Sequence, residues 1–145
     1  MSTPPPDCPL CGGDGGVLVA RTPELRAVLV DEPDYPGYVR VIWNAHVAEM
    51  SHLSEPERAR LLAAVNLAET ALRQVLAPDK VNLASLGNQV PHLHWHVIPR
   101  FRDDAHFPQP IWTARARDPD PDRLLRCRQA LPALQARIAR LLRMG

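Results

Sequence analysis

The stretch His92-Leu93-His94-Trp95-His96-Val97-Ile98 restricts this chain more than any other, because imidazole and apolar side chains alternate along it. Successive side chains of an extended strand point to opposite faces. His92, His94 and His96 are therefore expected on one face, with Leu93, Trp95 and Val97 on the other. Three imidazoles at a pitch of ~6.6–7 Å have few uses. Each titrates near neutrality, so one can be a neutral nucleophile while a neighbour donates a proton, and each can bind a metal. A strand of merely solvated rings fits poorly, since the apolar alternation calls for a buried opposite face.

A chain of 145 residues fits one domain and buries roughly two-thirds of its unfolded surface without disulfide staples. The net charge of +1 points to neither a nucleic-acid coat nor a membrane surface. Lys80 is the single lysine. The arginine forks suit phosphate and carboxylate, although a bias toward Arg and Ala gives the same count. No apolar run of about 18 residues occurs, so no membrane span is expected. Residues 1–7 have neither a basic start nor an apolar core, so no signal peptide is expected. The expected compartment is the cytoplasm, where the three cysteines stay reduced.

Cys8-Pro9-Leu10-Cys11-Gly12-Gly13 follows a proline-rich opening. Two thiols spaced by two residues, with glycines to let the chain turn, form half of a zinc knuckle; a redox pair or two idle thiols share the pattern. No second such pair follows, so the other ligands of a zinc ion would come from far along the chain, and histidines are the candidates. Cys127 reads as a buried small residue, and His52 and His106 as surface or satisfied core histidines.

Residues 17–20, 26–31 and 38–43 read as strands, the third delivering His46 just past its end. Ser54 and Glu57 form a capping box for a helix. Its apolar stripe is Leu61, Leu62, Val65, Ala68, Leu72, Val75 and Leu76, and Pro78 marks its end. Residues 80–86 and 92–98 complete the strands around a bend at 87–91. A helix between antiparallel strands argues for an α+β fold rather than a doubly wound one. The irregular, aromatic and proline-rich stretch 101–112 suits a cover over a groove or a partner surface. Asp118-Pro119-Asp120-Pro121-Asp122 caps a last helix with the stripe Leu124, Cys127, Leu131, Leu134, Ile138, Leu141 and Leu142; Pro132 within it implies a kink or a later start. Docking of this helix on its own or a neighbouring subunit outweighs nucleic-acid binding.

The His-φ-His-φ-His-φ-φ run at 92–98 resembles the signature of the histidine triad (HIT) superfamily of nucleotide hydrolases and transferases, and the similarity extends from about Cys8 to Trp112. The resemblance implies a HIT-like α+β domain over 1–112, with a five-stranded antiparallel sheet and a packed helix, commonly paired in a homodimer. A mostly helical C-terminal extension over 113–145 lies outside it. It implies cleavage of nucleoside 5′-phosphate conjugates, such as dinucleoside polyphosphates or phosphoramidates, at the α-phosphorus. His94 would be the nucleophile that forms a nucleotidyl-histidine, and His96 would contact the phosphate and supply a proton to the leaving group. The purine nucleotide would be held by Asp31 at the ribose, by Asn82, Asn88 and Gln89 near the phosphate, and by His94 and His96. Gln89 stands where many members have Ser or Thr, and Asn88 where Gln is common. Zinc-containing relatives imply a structural site of Cys8, Cys11, His46 and His92, with no metal in the chemistry. Neither membrane nor nucleic-acid partners are implied.

Three other readings compete. A nucleotide-binding regulator with little turnover would use the same pocket. A catalytic zinc on all three histidines lacks the Asp-His that follows paired histidines in metallo-β-lactamase-like folds, since Val97-Ile98 stands there. A zinc module for nucleic acid lacks a basic patch around the cysteines.

Overall fold

The computed structural model describes residues 5–144; the start of the proline-rich opening, at 1–4, lies outside the described residues. The elements run in the order α1 (Pro9–Gly12), β1 (Val17–Arg21), β2 (Leu25–Leu29), β3 (Val39–Trp43), a short 3-10 turn (Met50–His52), α2 (Glu55–Leu76), β4 (Lys80–Ala84), β5 (His94–Arg100) and α3 (Pro121–Met144). The five strands form one antiparallel sheet in the order β1-β2-β3-β5-β4. The α+β architecture is the one expected from the sequence.

Helix α2 begins where local chemistry directs. The Ser54 side chain accepts from the Glu57 amide at 3.3 Å, and the Glu57 carboxylate accepts from the Ser54 amide at 2.8 Å. Caps of this kind contribute about 1 kcal/mol. The helix closes at Ala77, in the left-handed conformation with φ 49°. Its buried stripe is Leu61, Ala64, Val65, Ala68, Ala71 and Leu72. Leu62, placed in the stripe by spacing, is instead 45% exposed. Ala64 and Ala71 take the contact, since short side chains let the helix approach the sheet closely.

The sheet face under α2 is apolar, built from Leu25, Ala27, Leu29, Val39, Val41, Trp43, Val81 and Val97. Leu134, Ile138 and Leu142 of α3 join this same core. Asp120 caps α3 by accepting from the Asp122 amide at 3.0 Å. Pro132 lies inside the continuous helix, which does not start later. Cys127 is buried.

The opposite face carries the alternate residues, Arg26, Val28, Tyr38, Arg40, Ile42, His94, His96 and Ile98, and irregular chain covers it from two ends. At one end Cys8 and Leu10 pack on Val28 and Ile42. At the other, Asp104 is fully buried and ties down the segment after β5. It receives Arg100 through two bonds of 2.8 and 3.1 Å, the amides of Phe101, His106 and Phe107 at 3.0, 3.1 and 2.7 Å, and the Tyr35 hydroxyl at 3.1 Å. Burial by itself would raise the Asp104 pKa, but the Arg100 guanidinium and the amides outweigh it and hold the carboxyl at about 2. His106 is a satisfied side chain, stacked on Tyr35 and 2.6 Å from its hydroxyl. His52 accepts from the Glu49 amide at 3.3 Å in a capping box.

Candidate active site and metal centre

The main correction to the expected register concerns the first histidine. Strand β5 begins at His94, not His92. Pro91 has no N–H to give to a ladder, the His92 amide turns back to Val90 O at 2.8 Å, and the backbone at Leu93 is shared between the last residue of β3 and the turn beyond it. Trp43 N donates to Leu93 O at 3.1 Å, and Leu93 N donates to Val47 O at 2.7 Å. Only His94 and His96 therefore line the strand face. The His92 ring is fully buried and turned toward the N-terminal cysteines. The second strand likewise ends at Leu29 and the fourth at Ala84, short of 31 and 86.

Cys8 and Cys11 sit on one tight turn, closed by bonds from the Cys11 and Gly12 amides to Cys8 O at 3.2 and 3.0 Å. Arg26 holds that turn in place. Its buried guanidinium donates to the carbonyls of Leu10, Gly13 and Asp14 at 2.7, 3.1 and 2.9 Å, and to the Asn44 side chain at 3.0 Å. His46 and His92 close on the cysteines. Cys8 Sγ is 3.5 Å from His92 Nδ1, Cys11 Sγ is 3.4 Å from His92 Nδ1 and 3.3 Å from His46 Nδ1, and the two Nδ1 atoms are 3.2 Å apart. The four ligand atoms all lie within 4.8 Å of one another. A tetrahedral zinc with bonds of ~2.3 Å to sulfur and ~2.05 Å to nitrogen sets sulfur–nitrogen edges of ~3.6 Å and a nitrogen–nitrogen edge of ~3.4 Å. Three sulfur–nitrogen edges of 3.3–3.5 Å and the nitrogen–nitrogen edge of 3.2 Å lie within about 0.3 Å of those. His92 Nε2 also donates to Trp43 O at 2.6 Å, which leaves Nδ1 as the unprotonated ligand atom. The donor set fits a metal.

Backing on this cluster is a cavity of about 420 Å³, within the range of small-ligand sites. His94 and His96 form its floor with Tyr38 and Arg40; residues 86–90 and Trp112 form walls. The His94 Nδ1–H donates to the backbone O of His92 at 2.6 Å, so Nε2 keeps a lone pair. Ser85 Oγ donates to the carbonyl of His94 at 2.8 Å and steadies the start of the strand. The His96 ring packs edge-on to His94 at 4.9 Å and to Trp112 at 5.1 Å, and its Nδ1 is hydrogen-bonded to the Tyr38 hydroxyl. Burial pushes the His94 pKa below the usual imidazole range, against the effect of the His92 carbonyl, and Arg40 adds to the shift. Burial, then the neighbouring His94 and Arg40, brings His96 down to about 4. Both rings are neutral at pH 7.

Asn88 and Gln89 line the cavity with His94 and His96. Asp31 is exposed, beyond the end of β2 and outside the lining. Asn82 faces the same side of the sheet, opposite Ile98. Its Oδ1 accepts from Arg100 at 2.6 Å, within the Asp104 network and away from the lining. Sequence reasoning missed Tyr38 and Arg40 as site residues. Their two-residue spacing at the head of β3 was the available signal, because it puts both on the face that β3 shares with His96. Trp112 lay in the stretch expected to cover a groove, and its indole stands at the cavity mouth, half exposed.

The HIT domain family model matches residues 15–103. Among characterised proteins, the chain is similar to the AP-4-A phosphorylase of Mycobacterium tuberculosis, with 32% identity over 107 residues, 70% of this chain and 55% of that protein. It is also similar to the bis(5′-nucleosyl)-tetraphosphatase (asymmetrical) of Schizosaccharomyces pombe, with 30% identity over 96 residues, 62% of this chain and 52% of that protein. The chain thus spans about half the length of the curated relatives it matches. Among solved structures, the histidine triad protein blr8122 from Bradyrhizobium japonicum has a TM-score of 0.67 at 26% identity, covering 83% of this chain and 90% of that one. A Zn-bound histidine triad family protein from Mycobacterium smegmatis shares the fold with a TM-score of 0.61 at 22% identity, covering 95% of both chains.

Proposed function

The chain belongs to the HIT domain family, and from that premise we propose that it is a nucleotide hydrolase that cleaves nucleoside 5′-phosphate conjugates at the α-phosphorus through a nucleotidyl-histidine. One observation carries the reading: the bond from His94 Nδ1 to the His92 carbonyl, which aims an unprotonated Nε2 into a nucleotide-sized cavity. Such a ring attacks phosphorus without a separate base. The His94 Nε2 lone pair forms the N–P bond as the bond to the leaving atom breaks, and that atom takes the electron pair. His96, beside it, stabilises the departing charge with its N–H. Water then attacks phosphorus and gives a proton to solvent, the N–P bond breaks with its electron pair returning to His94 Nε2, and the nucleoside 5′-monophosphate leaves.

Asn88, Gln89 and the backbone of their bend hold the non-bridging oxygens in this reading, as preorganised donors do. Asp31 and Asn82 act only on a part of the nucleotide that reaches past the cavity. Dinucleoside polyphosphates are the favoured substrates, on the strength of what the two relatives are named for. We place zinc on Cys8, Cys11, His46 and His92, supported by the tetrahedral edges; bound there, it supplies a structural cross-link between the N-terminal turn and the start of β5. A site closed by four protein ligands leaves no position for substrate. Such a site requires Cys8 and Cys11 as free thiols, and a cytoplasmic location belongs to the same proposal. The homodimer implied by the family resemblance belongs to the same proposal.

The test is to mix the protein with a dinucleoside polyphosphate, quench, and search for an adenylyl adduct on the peptide containing His94 by mass spectrometry. An adduct on His94, absent from His94→Asn, supports the mechanism. Turnover with no adduct, or with one elsewhere, sinks it.

A further inference from the structure

Tyr38, at the head of β3, and Arg40, on that strand, occupy the cavity floor without a role in the steps above. Tyr38 is buried, and its hydroxyl meets His96 Nδ1 in a short hydrogen bond. Arg40 lies opposite His96 in the strand register. Its guanidinium donates to Gly15 O at 3.1 Å, and its buried Nε has no partner among the described residues.

A hydroxyl and an imidazole nitrogen can share a hydrogen in either sense, so the bond alone does not fix the tautomer of His96. The surroundings of the hydroxyl fix it. Tyr38 is buried, and among the described residues its hydroxyl has one hydrogen-bond partner, His96 Nδ1. Burial raises the phenol pKa, so the hydroxyl keeps its hydrogen. A buried O–H without an acceptor is costly, so that hydrogen goes to His96 Nδ1. A neutral His96 then carries its single hydrogen on Nε2.

We propose that Tyr38 is a positioning residue that fixes His96 as the tautomer accepting at Nδ1 and donating from Nε2. The two triad rings are thereby locked in opposite senses. His94 donates from Nδ1 to a carbonyl and offers a lone pair; His96 accepts at Nδ1 from a phenol and offers an N–H. One side of the cavity attacks phosphorus while the other bonds to the departing atom. The catalytic consequence rests on the proposed function; the tautomer does not.

The test pairs two adenosine 5′-aryl phosphates that differ only in the basicity of the departing oxygen, 4-nitrophenyl and phenyl, with wild type and Tyr38→Phe. Phenylalanine retains the ring that packs with Tyr35 and Ile98. A nitrophenolate leaves unaided and a phenolate needs the N–H. Tyr38→Phe is therefore expected to lower kcat/KM for the phenyl ester by about 10²-fold and for the nitrophenyl ester by less than about 3-fold. Equal losses on both esters, or none, overturn the proposal. Wild type inert on both esters would sink the hydrolase reading instead. The tautomer is then decided by ¹⁵N NMR of the His96 ring in the wild-type protein. An unprotonated Nδ1 and a protonated Nε2 are expected, with that pattern lost in Tyr38→Phe. A protonated Nδ1 in wild type overturns the proposal whatever the activity.

Discussion

The backbone carbonyl of His92 accepts a hydrogen bond from His94 Nδ1 at 2.6 Å, while the His92 ring turns away to meet the thiols of Cys8 and Cys11 at 3.5 and 3.4 Å. One residue thus serves two sites. Its main chain orients the candidate nucleophile, and its side chain belongs to the candidate metal cluster. Whatever secures the ring of His92 also secures the carbonyl that sets the tautomer of His94.

Replacing the nucleophile separates chemistry from binding. His94→Asn retains a polar side chain of similar reach but has no imidazole lone pair. Turnover is expected to fall by about 10⁴-fold or more, as when a covalent catalyst is removed. Nucleotide affinity by calorimetry should stay within about threefold, since uniform binding contacts remain. A variant that keeps near-normal kcat would refute the assignment of His94.

Metal removal should act on stability before rate. If zinc is present at about 1,000 times its dissociation constant, it contributes about 4 kcal/mol. For a domain of this size that corresponds to about 8–16 °C in Tm. Chelation, or Cys8→Ser, is expected to lower Tm by that amount in differential scanning calorimetry. The rate per folded molecule should fall much less. An unchanged Tm argues that the cluster holds no metal.

The acid limb of the rate profile follows from buried imidazoles. An ordinary histidine becomes charged as pH falls through about 6.5, whereas burial, His94 and Arg40 depress His96 to about 4. Its neutral form therefore survives well below pH 6.5. Burial lowers His94 as well, so the acid limb of kcat/KM for the zinc-loaded protein is expected to have its midpoint below 6.5, set by whichever of the two rings becomes charged first. A midpoint near 6.5 would show that the rings titrate as if exposed.

Asp104 offers a test of the scaffold. Its folded pKa of about 2 lies below the model-peptide value of 3.8, so the stabilisation is present above pH 4 and is lost as pH falls from about 4 to about 2. Asp104→Asn removes the charge that faces buried Arg100 and is expected to cost about 3–5 kcal/mol. Urea unfolding at pH 7 measures it. A loss below about 1 kcal/mol would mean that the backbone amides alone hold the segment leading to Trp112.

Local chemistry made much of this protein legible in its sequence. Ser54 and Glu57 announced the start of α2, the apolar alternation of β5 announced a two-faced strand, and the pair Cys8 and Cys11 announced half of a cluster that could hold a metal. Each is a matter of spacing along one segment, and spacing is written in the chain. Even there the reading had a limit. His92 was expected on the strand with its neighbours, yet Pro91, the bend to Val90 and the turn at Val47 claim the backbone first, and its ring goes to the cysteines.

Tertiary structure alone decided which distant groups meet. Nothing in the order of residues says that Tyr38 will bond His96, that Arg40 will stand beside both, or that Asn82 will be taken up by Arg100. Those pairings depend on the strand order β1-β2-β3-β5-β4, which sets β3 against β5 across a gap of some fifty residues. Tautomer and pKa depend on burial and on partners brought together by that crossing. The sequence by itself set imidazoles at alternate positions of one segment; the fold determined that two of the three share the strand face, and which nitrogen of each is free.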